Sequence, residues 1–150
     1  MSRPELEAAF PNLAADGYEI TSPESRKYNC IAWAAGDASQ KWDCTGLHLA
    51  GYYWPPDALA GEAIEALVSA FETQGYSLCE SAVLEPGMEK VVLYADDQGL
   101  WTHAARQLLD GRWSSKLGDA EDIAHLTPQG VEGSIYGRVV HLMRRPRATK

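Results

Sequence analysis

The chain has 150 residues, an apolar fraction of 45% and a formal net charge of −8. This length suits a single domain over residues 1–150, and the acidic balance supplies no basic surface for nucleic acid. No apolar run approaches the ~18 residues of a membrane-spanning helix, and the first residues do not form a secretion signal. We therefore expect a cytoplasmic protein that binds neither nucleic acid nor membranes, with export that needs no signal sequence as the alternative.

The first half of the chain has the pattern of helices separated by loops. A short helix is expected over residues 2–10, followed by a loop over 11–27 that is rich in Pro, Gly, Asn and Ser. Residues 29–36 predict a second helix that ends at a glycine. The clearest helix begins near residue 57 or 61 and runs to 74, because apolar residues recur at the spacing of one buried face. These residues are Ile64, Leu67, Val68 and Phe71.

The second half of the chain has the pattern of antiparallel strands. Asp110-Gly111 is a strong signal for a two-residue hairpin turn, and Asp96 to Gly99 has turn chemistry as well. Residues 119–134 are expected to be irregular. The predicted strands are 90–95, 100–109, 112–118 and 136–144. Helices that precede a run of strands indicate an α+β domain, with the N-terminal helices packed on an antiparallel β-sheet.

The hairpin signal also predicts a register. A tight turn at Asp110-Gly111 pairs Leu109 with Arg112, and paired residues share a face of the sheet. This register places polar residues from both strands on one face: His103, Gln107, Ser114 and Lys116. A single bulge would instead bring Ser115 and Arg106 to that face.

Cys30 and His103 are the main candidates for catalysis. Cys30 opens a predicted helix, and the helix N-terminus carries roughly half an elementary positive charge, which favours a thiolate. His103 lies in a predicted strand, where an imidazole can take the thiol proton and later return it to a leaving group. A nearby imidazolium would lower the pKa of the thiol further. We expect the two side chains to lie close enough to exchange a proton.

Other residues are candidates for the rest of such a site. The backbone amide of Cys30 is a natural oxyanion donor, and the Asn29 amide or the Tyr28 hydroxyl is a candidate second donor. Trp33 is a candidate for an aromatic subsite beside the cleft. The group that orients the imidazole stays open among several polar residues. They are Gln107, Ser114, Lys116, Asp119 and His125, of which Lys116 can instead hold a substrate carboxylate.

Each of these residues also has a structural interpretation. A free cysteine is often a buried core residue, and a strand histidine is often held by structural hydrogen bonds. Cys44 and Cys79 are expected to take no part in the chemistry, and the three cysteines match no disulfide framework. Because the cysteines and histidines are scattered and fit no zinc motif, we expect neither a metal nor another cofactor.

Several segments resemble a group of small bacterial proteins of unknown function. They are Tyr-Asn-Cys-Ile-Ala-Trp-Ala at 28–34, Lys-Val-Val-Leu-Tyr-Ala at 90–95, Thr-His-Ala-Ala-Arg-Gln at 102–107, Asp-Gly-Arg-Trp-Ser-Ser-Lys-Leu-Gly at 110–118, Asp-Ile-Ala-His at 122–125 and Tyr-Gly-Arg-Val-Val at 136–140. That group is in turn similar to papain-like and NlpC-type cysteine peptidases and amidases. The resemblance implies a papain-like fold, with Cys30 as the nucleophile and His103 as the base.

Two functions are therefore expected from the sequence. The first is a cysteine hydrolase of the peptidase, amidase or deamidase type, which acts on a peptide or another amide substrate. The second is a non-catalytic binding or immunity-type module, which keeps the same fold and binds a protein partner.

Overall fold

The helices of the chain are short. A computed structural model of the protein describes residues 2–43 and 52–147. Four α-helices lie within these residues: α1 (Arg3–Ala9), α2 (Leu13–Asp16), α3 (Cys30–Ala34) and α4 (Ile64–Glu72). Ser2 and Glu5 form a capping box at the start of α1, which satisfies amides that the first turn leaves unpaired. No helix in the described ranges is long and apolar enough to cross a membrane.

The strands form one sheet. In the described part of the chain they are β1 (Tyr18–Ser22), β2 (Ser77–Cys79), β3 (Met88–Ala95), β4 (Trp101–Gln107), β5 (Trp113–Lys116), β6 (Asp122–His125) and β7 (Arg138–Pro146). Their order in the sheet is β1-β6-β5-β4-β3-β7-β2, and every neighbouring pair is antiparallel. The expected α+β class with an antiparallel sheet is confirmed, as is the antiparallel pairing of the three central predicted strands.

Two apolar cores cover the two faces of this sheet. Side chains alternate between the faces along β3, so that Val91 and Leu93 belong to one core and Val92 and Tyr94 to the other. We call them the front core and the back core. The front core contains α3 and α4 residues with sheet residues: Ile31, Leu67, Phe71, Val91, Leu93 and Ala104. The back core contains residues of α1, its C-cap and α2, residues of the sheet, and one residue of the loop before β7: Leu6, Phe10, Leu13, Val92, Tyr94, Ala105, Trp113, Ile123 and Tyr136.

The predicted register between β4 and β5 is wrong by one residue. The structure pairs Arg106 with Ser114 and Gln107 with Trp113, and the Leu108 N–H closes the turn by donating to the Arg112 carbonyl. The loop therefore has three residues, 109–111, and Gly111 occupies the left-handed position with φ 91°. This shift moves Ser114 and Lys116 to the face opposite His103, and it brings Ser115 to the face of His103.

Three other segments differ from the sequence predictions. The expected loop over 11–27 contains α2 and β1, and the region 119–134 that was expected to be irregular contains β6 and a short 3₁₀ helix, Pro128–Val131. The helix expected from residue 57 or 61 begins at Ile64, because the residues before it bridge to the turn after β3 through Ala63 and Leu100. These strands are short, and their pairing comes from residues distant in the sequence.

Candidate functional site

Cys30 occupies the first position of α3. The side-chain oxygen of Asn29 caps this helix by accepting hydrogen bonds from the backbone N–H groups of Ala32, at 3.1 Å, and of Trp42, at 3.2 Å. The Asn29 amide nitrogen donates to the Trp42 carbonyl at 2.8 Å. Asn29 is therefore a structural anchor that fixes where the helix starts and where Cys30 lies.

The groups around the Cys30 sulfur have opposing effects on the pKa of the thiol. The backbone N–H groups of Ala104, Ile31 and Cys30 itself and the charge of Lys116 favour the thiolate, but burial outweighs them and raises the pKa of the thiol to about 11. The expected lowering of this pKa is reversed for a physical reason: α3 has only five residues, so its dipole is weak compared with the cost of burying a thiolate. Cys30 is a neutral thiol at neutral pH.

His103 lies on the back face of β4 and is fully buried. Its ring stacks on the Tyr136 ring at a centroid distance of 3.9 Å and an angle of 6°, and it also contacts the Tyr94 ring. Burial, and then the nearby His125, lower the pKa of His103 well below its usual value. The imidazole is therefore neutral at physiological pH.

A chain of buried hydrogen bonds begins at His103. Its Nε2 atom lies 2.9 Å from the Ser115 Oγ atom, and the same oxygen lies 2.8 Å from the His125 Nε2 atom. The His125 Nδ1 atom lies 2.7 Å from the Thr127 carbonyl oxygen. Ser115 and His125 are fully buried as well, and burial lowers the pKa of His125.

This chain fixes the tautomers of both histidines. A carbonyl only accepts, so His125 carries its proton on Nδ1, and its Nε2 atom accepts from the Ser115 hydroxyl. Ser115 has one proton to donate, so its oxygen accepts from the Nε2–H of His103. The lone pair of neutral His103 is then on Nδ1, an atom that is buried and has no hydrogen-bond partner among the described residues.

Cys30 and His103 lie on opposite faces of the sheet. Cys30 packs against the front core, while His103 stacks on Tyr136 and contacts the tilted ring of Tyr94, both in the back core. The sulfur nevertheless meets the backbone N–H of Ala104, which directly follows His103 in β4. The backbone pairing of β4 with β5 stops at Arg106 and Ser114, so beside His103 the two strands are linked through side chains, by His103 and Ser115. The structure forms no hydrogen bond between the sulfur and the imidazole within its described residues.

The other predicted site residues lie on the front face with α3. The Trp33 Nε1–H donates to the Ser114 Oγ atom at 2.9 Å. Lys116 is fully buried, donates to the carbonyls of Gly118 and Ala120, and lies over the Tyr28 ring. The structure therefore groups Cys30, Tyr28, Trp33, Ser114 and Lys116 on one face.

Tyr28 forms a hydrogen bond with an acidic residue that was not a candidate from the sequence. Its hydroxyl donates to the Asp122 Oδ2 atom at 2.8 Å. Burial, and then this carboxylate, raise the pKa of Tyr28 to about 12. The hydroxyl is already engaged, so it is a weaker oxyanion donor than the sequence suggested.

Ser115 was predicted beside His103 only as the alternative register, and Tyr136 was not predicted as its neighbour. Ser115 required the three-residue turn, for which Gly111 at the left-handed position is the only local signal. Tyr136 comes from a loop more than thirty residues away, so no local pattern places its ring on His103. His125 was among the open choices, and it belongs to the chain as its second imidazole. Cys44 lies outside the described residues.

Comparisons with known proteins give one match. The model of a family described as a domain of unknown function, DUF7689, matches residues 19–144. This range contains Cys30, His103, Ser115 and His125. No curated protein and no solved structure matches the chain.

Proposed function

The chain belongs to the DUF7689 family, and we propose that it is a thiol-dependent hydrolase of amide bonds. In this proposal Cys30 is the nucleophile and His103 is the general base, in an arrangement like that of papain-like and NlpC-type enzymes. The substrate is a peptide or another amide, so the reaction is that of a peptidase, an amidase or a deamidase.

The observation that carries the proposal is the free lone pair on the His103 Nδ1 atom. Ser115 and His125 hold the imidazole so that the opposite nitrogen is unprotonated and unpaired. Leaving a buried polar atom unpaired costs free energy, and a base that must accept a proton is one reason to keep it. The neutral state of His103, which follows from its lowered pKa, is the state a base requires.

The route between the sulfur and this nitrogen passes between β4 and β5. The sulfur lies beside the Ala104 amide, where the two strands are no longer paired. In this proposal, transfer of the proton requires the imidazole and the sulfur to approach each other through this opening. Because both groups are neutral at rest, the proton moves when the substrate is bound, as in general base catalysis rather than in a preformed ion pair.

The chemistry then follows in two steps. The thiol proton passes to His103 Nδ1, the sulfur attacks the amide carbonyl, and backbone amides at the start of α3 stabilise the oxyanion. His103 returns the proton to the leaving nitrogen, which gives an amine and a thioester on Cys30. Water, activated by the same nitrogen, hydrolyses the thioester and restores the thiol. The charge of Lys116 favours the thiolate in both steps.

A non-catalytic binding or immunity-type module is the second candidate. It is favoured by the positions of Cys30 and His103 on opposite faces of the sheet and by the raised pKa of the thiol. In this case the histidine chain is a structural element of the back core, and the protein acts by binding a protein partner.

The two candidates differ in the effect of His103 on the Cys30 thiol. The folded protein is treated with iodoacetamide at pH 7, and modification of Cys30 and Cys79 is followed by site-resolved mass spectrometry. Iodoacetamide takes the place of the substrate electrophile, and a base accepts the thiol proton as the sulfur attacks it. If His103 is that base, His103→Ala slows the modification of Cys30 by about tenfold or more and leaves that of Cys79 unchanged. His141→Ala, which removes a half-buried histidine from β7, is the matched control and should change neither rate.

Ser115→Ala is a milder variant that keeps the test possible if His103→Ala does not fold. It removes the oxygen that orients His103, so the modification of Cys30 should slow by less than it does in His103→Ala. The modification rate of each variant is measured at a urea concentration below the start of its own unfolding transition. If Cys30 is modified as fast in folded His103→Ala and Ser115→Ala as in the wild type, or faster, the hydrolase is excluded and the binding module remains.

A further inference from the structure

A basic pocket lies at the end of α3 that is distant from Cys30. Its cavity has a volume of about 150 Å³ and is formed by the segment after α3 and by strands β3, β4 and β7. The residues that matter for its chemistry are Tyr76, Glu89, Lys90, Arg106, Arg145 and Arg147. Four of these six side chains are cationic, although the whole chain has a formal net charge of −8.

Most of the positive charge in this pocket is already paired. Arg145 Nε and Arg147 Nη1 both bind Glu89, at 2.5 Å and 3.5 Å. The Lys90 Nζ atom lies 2.6 Å from a Glu85 carboxylate oxygen and also donates to a backbone carbonyl. Each of these three cations thus has a carboxylate partner, but Glu89 is shared by two arginines and Glu85 also binds Arg144, so positive charge remains in excess.

Arg106 is the exception. Its guanidinium lies 3.8 Å from the centre of the Trp33 ring, on the front face of β4. Within residues 2–43 and 52–147 it forms neither a hydrogen bond nor an ion pair. The side chain is half-buried, and this burial lowers the pKa of the guanidinium while leaving it charged. Its N–H donors therefore have no partner among the described residues, and the contact with Trp33 holds the guanidinium in place.

We infer that this pocket binds a small oxyanion, a carboxylate or a phosphate group, through Arg106. A planar guanidinium offers two parallel N–H donors, which match two oxygens of such a group. The cavity has room for a group of this size. The ligand would neutralise the one partly desolvated cation that the described residues leave unpaired. The inference does not depend on the reactivity of Cys30, because the pocket is at the other end of α3.

The test is titration of the purified protein with inorganic phosphate and, separately, with acetate, by isothermal titration calorimetry at constant ionic strength. We expect saturable binding of at least one of the two anions, and the tighter one identifies the group. Arg106→Gln should weaken binding by about tenfold or more, which corresponds to the loss of a charged hydrogen bond. Arg106→Lys keeps the charge but loses the two parallel donors, so its affinity should be intermediate.

Arg112→Gln is the matched control. Arg112 is an arginine at the β4–β5 turn that pairs with Glu19 and Asp110, so its removal changes the net charge equally outside the pocket. It should leave the affinity unchanged. Arg106→Lys, which keeps a cation over Trp33, keeps the test valid if Arg106→Gln does not fold. Absence of saturable binding of both anions, or equal affinities for wild type and the folded Arg106 variants, would overturn the inference.

Discussion

At the scale of single residues, the histidine chain of the back core is the least expected feature. Two imidazoles and a hydroxyl are placed in an apolar environment, where their charged forms are strongly disfavoured. One carbonyl, that of Thr127, sets the direction of every hydrogen bond back to His103. The tautomer of His103 is thus determined by a backbone group far from it along the network.

This burial predicts a specific acid sensitivity. The pKa values of His103 and His125 are lowered in the folded state, so below pH 6.5 the unfolded chain binds more protons than the folded one. The free energy of unfolding should therefore fall as the pH drops below 6.5, with up to about 1.4 kcal/mol per pH unit from each histidine until the pH reaches its folded-state pKa. Urea titrations between pH 5 and pH 8 would measure this slope.

The variant His103→Phe separates this effect from the titration of carboxylates. It keeps an aromatic ring against Tyr136 but removes one titrating group, so its acid slope should be shallower by up to about 1.4 kcal/mol per pH unit. Above pH 7 the curves for the variant and the wild type should run parallel. Identical slopes below pH 6.5 would show that His103 takes up protons freely in the folded state.

At the scale of elements, the turn between β4 and β5 decides the composition of the site. The Asp-Gly pair correctly predicted a hairpin, but such a pair fits both a two-residue and a three-residue loop. The choice depends on whether Leu108 or Leu109 pairs with Arg112, and cross-strand packing determines that pairing. A shift of the register by one residue places Ser115, instead of Ser114 and Lys116, on the face of His103. The neighbours of His103 were therefore predicted wrongly from the sequence.

The longer elements were predictable for the opposite reason. The strands β3 and β4 and the helix α4 carry strong local patterns, and the sequence located all three. The α3 start at Cys30 also agrees with its Asn29 cap. The short strands β1 and β6 carry no such pattern and form through their mutual pairing and that of β6 with β5. The helix-end chemistry of Cys30 was misjudged because burial, which a sequence does not reveal, outweighs it.

Gly137, in the loop that leads into β7, predicts an effect on stability. Gly137 has φ 71°, and a Cβ atom there would overlap the carbonyl oxygen of Ala95 in β3. Gly99 has a similar φ of 78° but no atom within 4 Å of the added carbon. Both alanine variants carry the same backbone strain, so Gly137→Ala should destabilise by about 1–3 kcal/mol more than Gly99→Ala. Equal losses in urea titrations would contradict the close approach of Gly137 to β3.

At the scale of the whole molecule, one sheet supports two cores. Adjacent residues of β3 and of β4 belong to different cores, as Leu93 and Tyr94 do. Neither core can lose its packing without disturbing strands that the other core needs. This arrangement also links the two faces of the candidate site, because Cys30 depends on the front core and His103 on the back core.

We therefore expect both cores to unfold in one transition. Leu67 of α4 and Leu13 of α2 are fully buried on opposite faces, and replacement of either by Ala should cost about 2–5 kcal/mol. Far-UV circular dichroism and tryptophan fluorescence should give the same urea midpoint within each variant. Glu65→Ala, an exposed change on α4, should shift the midpoint little. If Leu13→Ala lowered the midpoint of one signal but not the other, the two cores would be separate folding units, and motion of one face relative to the other would become part of any mechanism that joins Cys30 and His103.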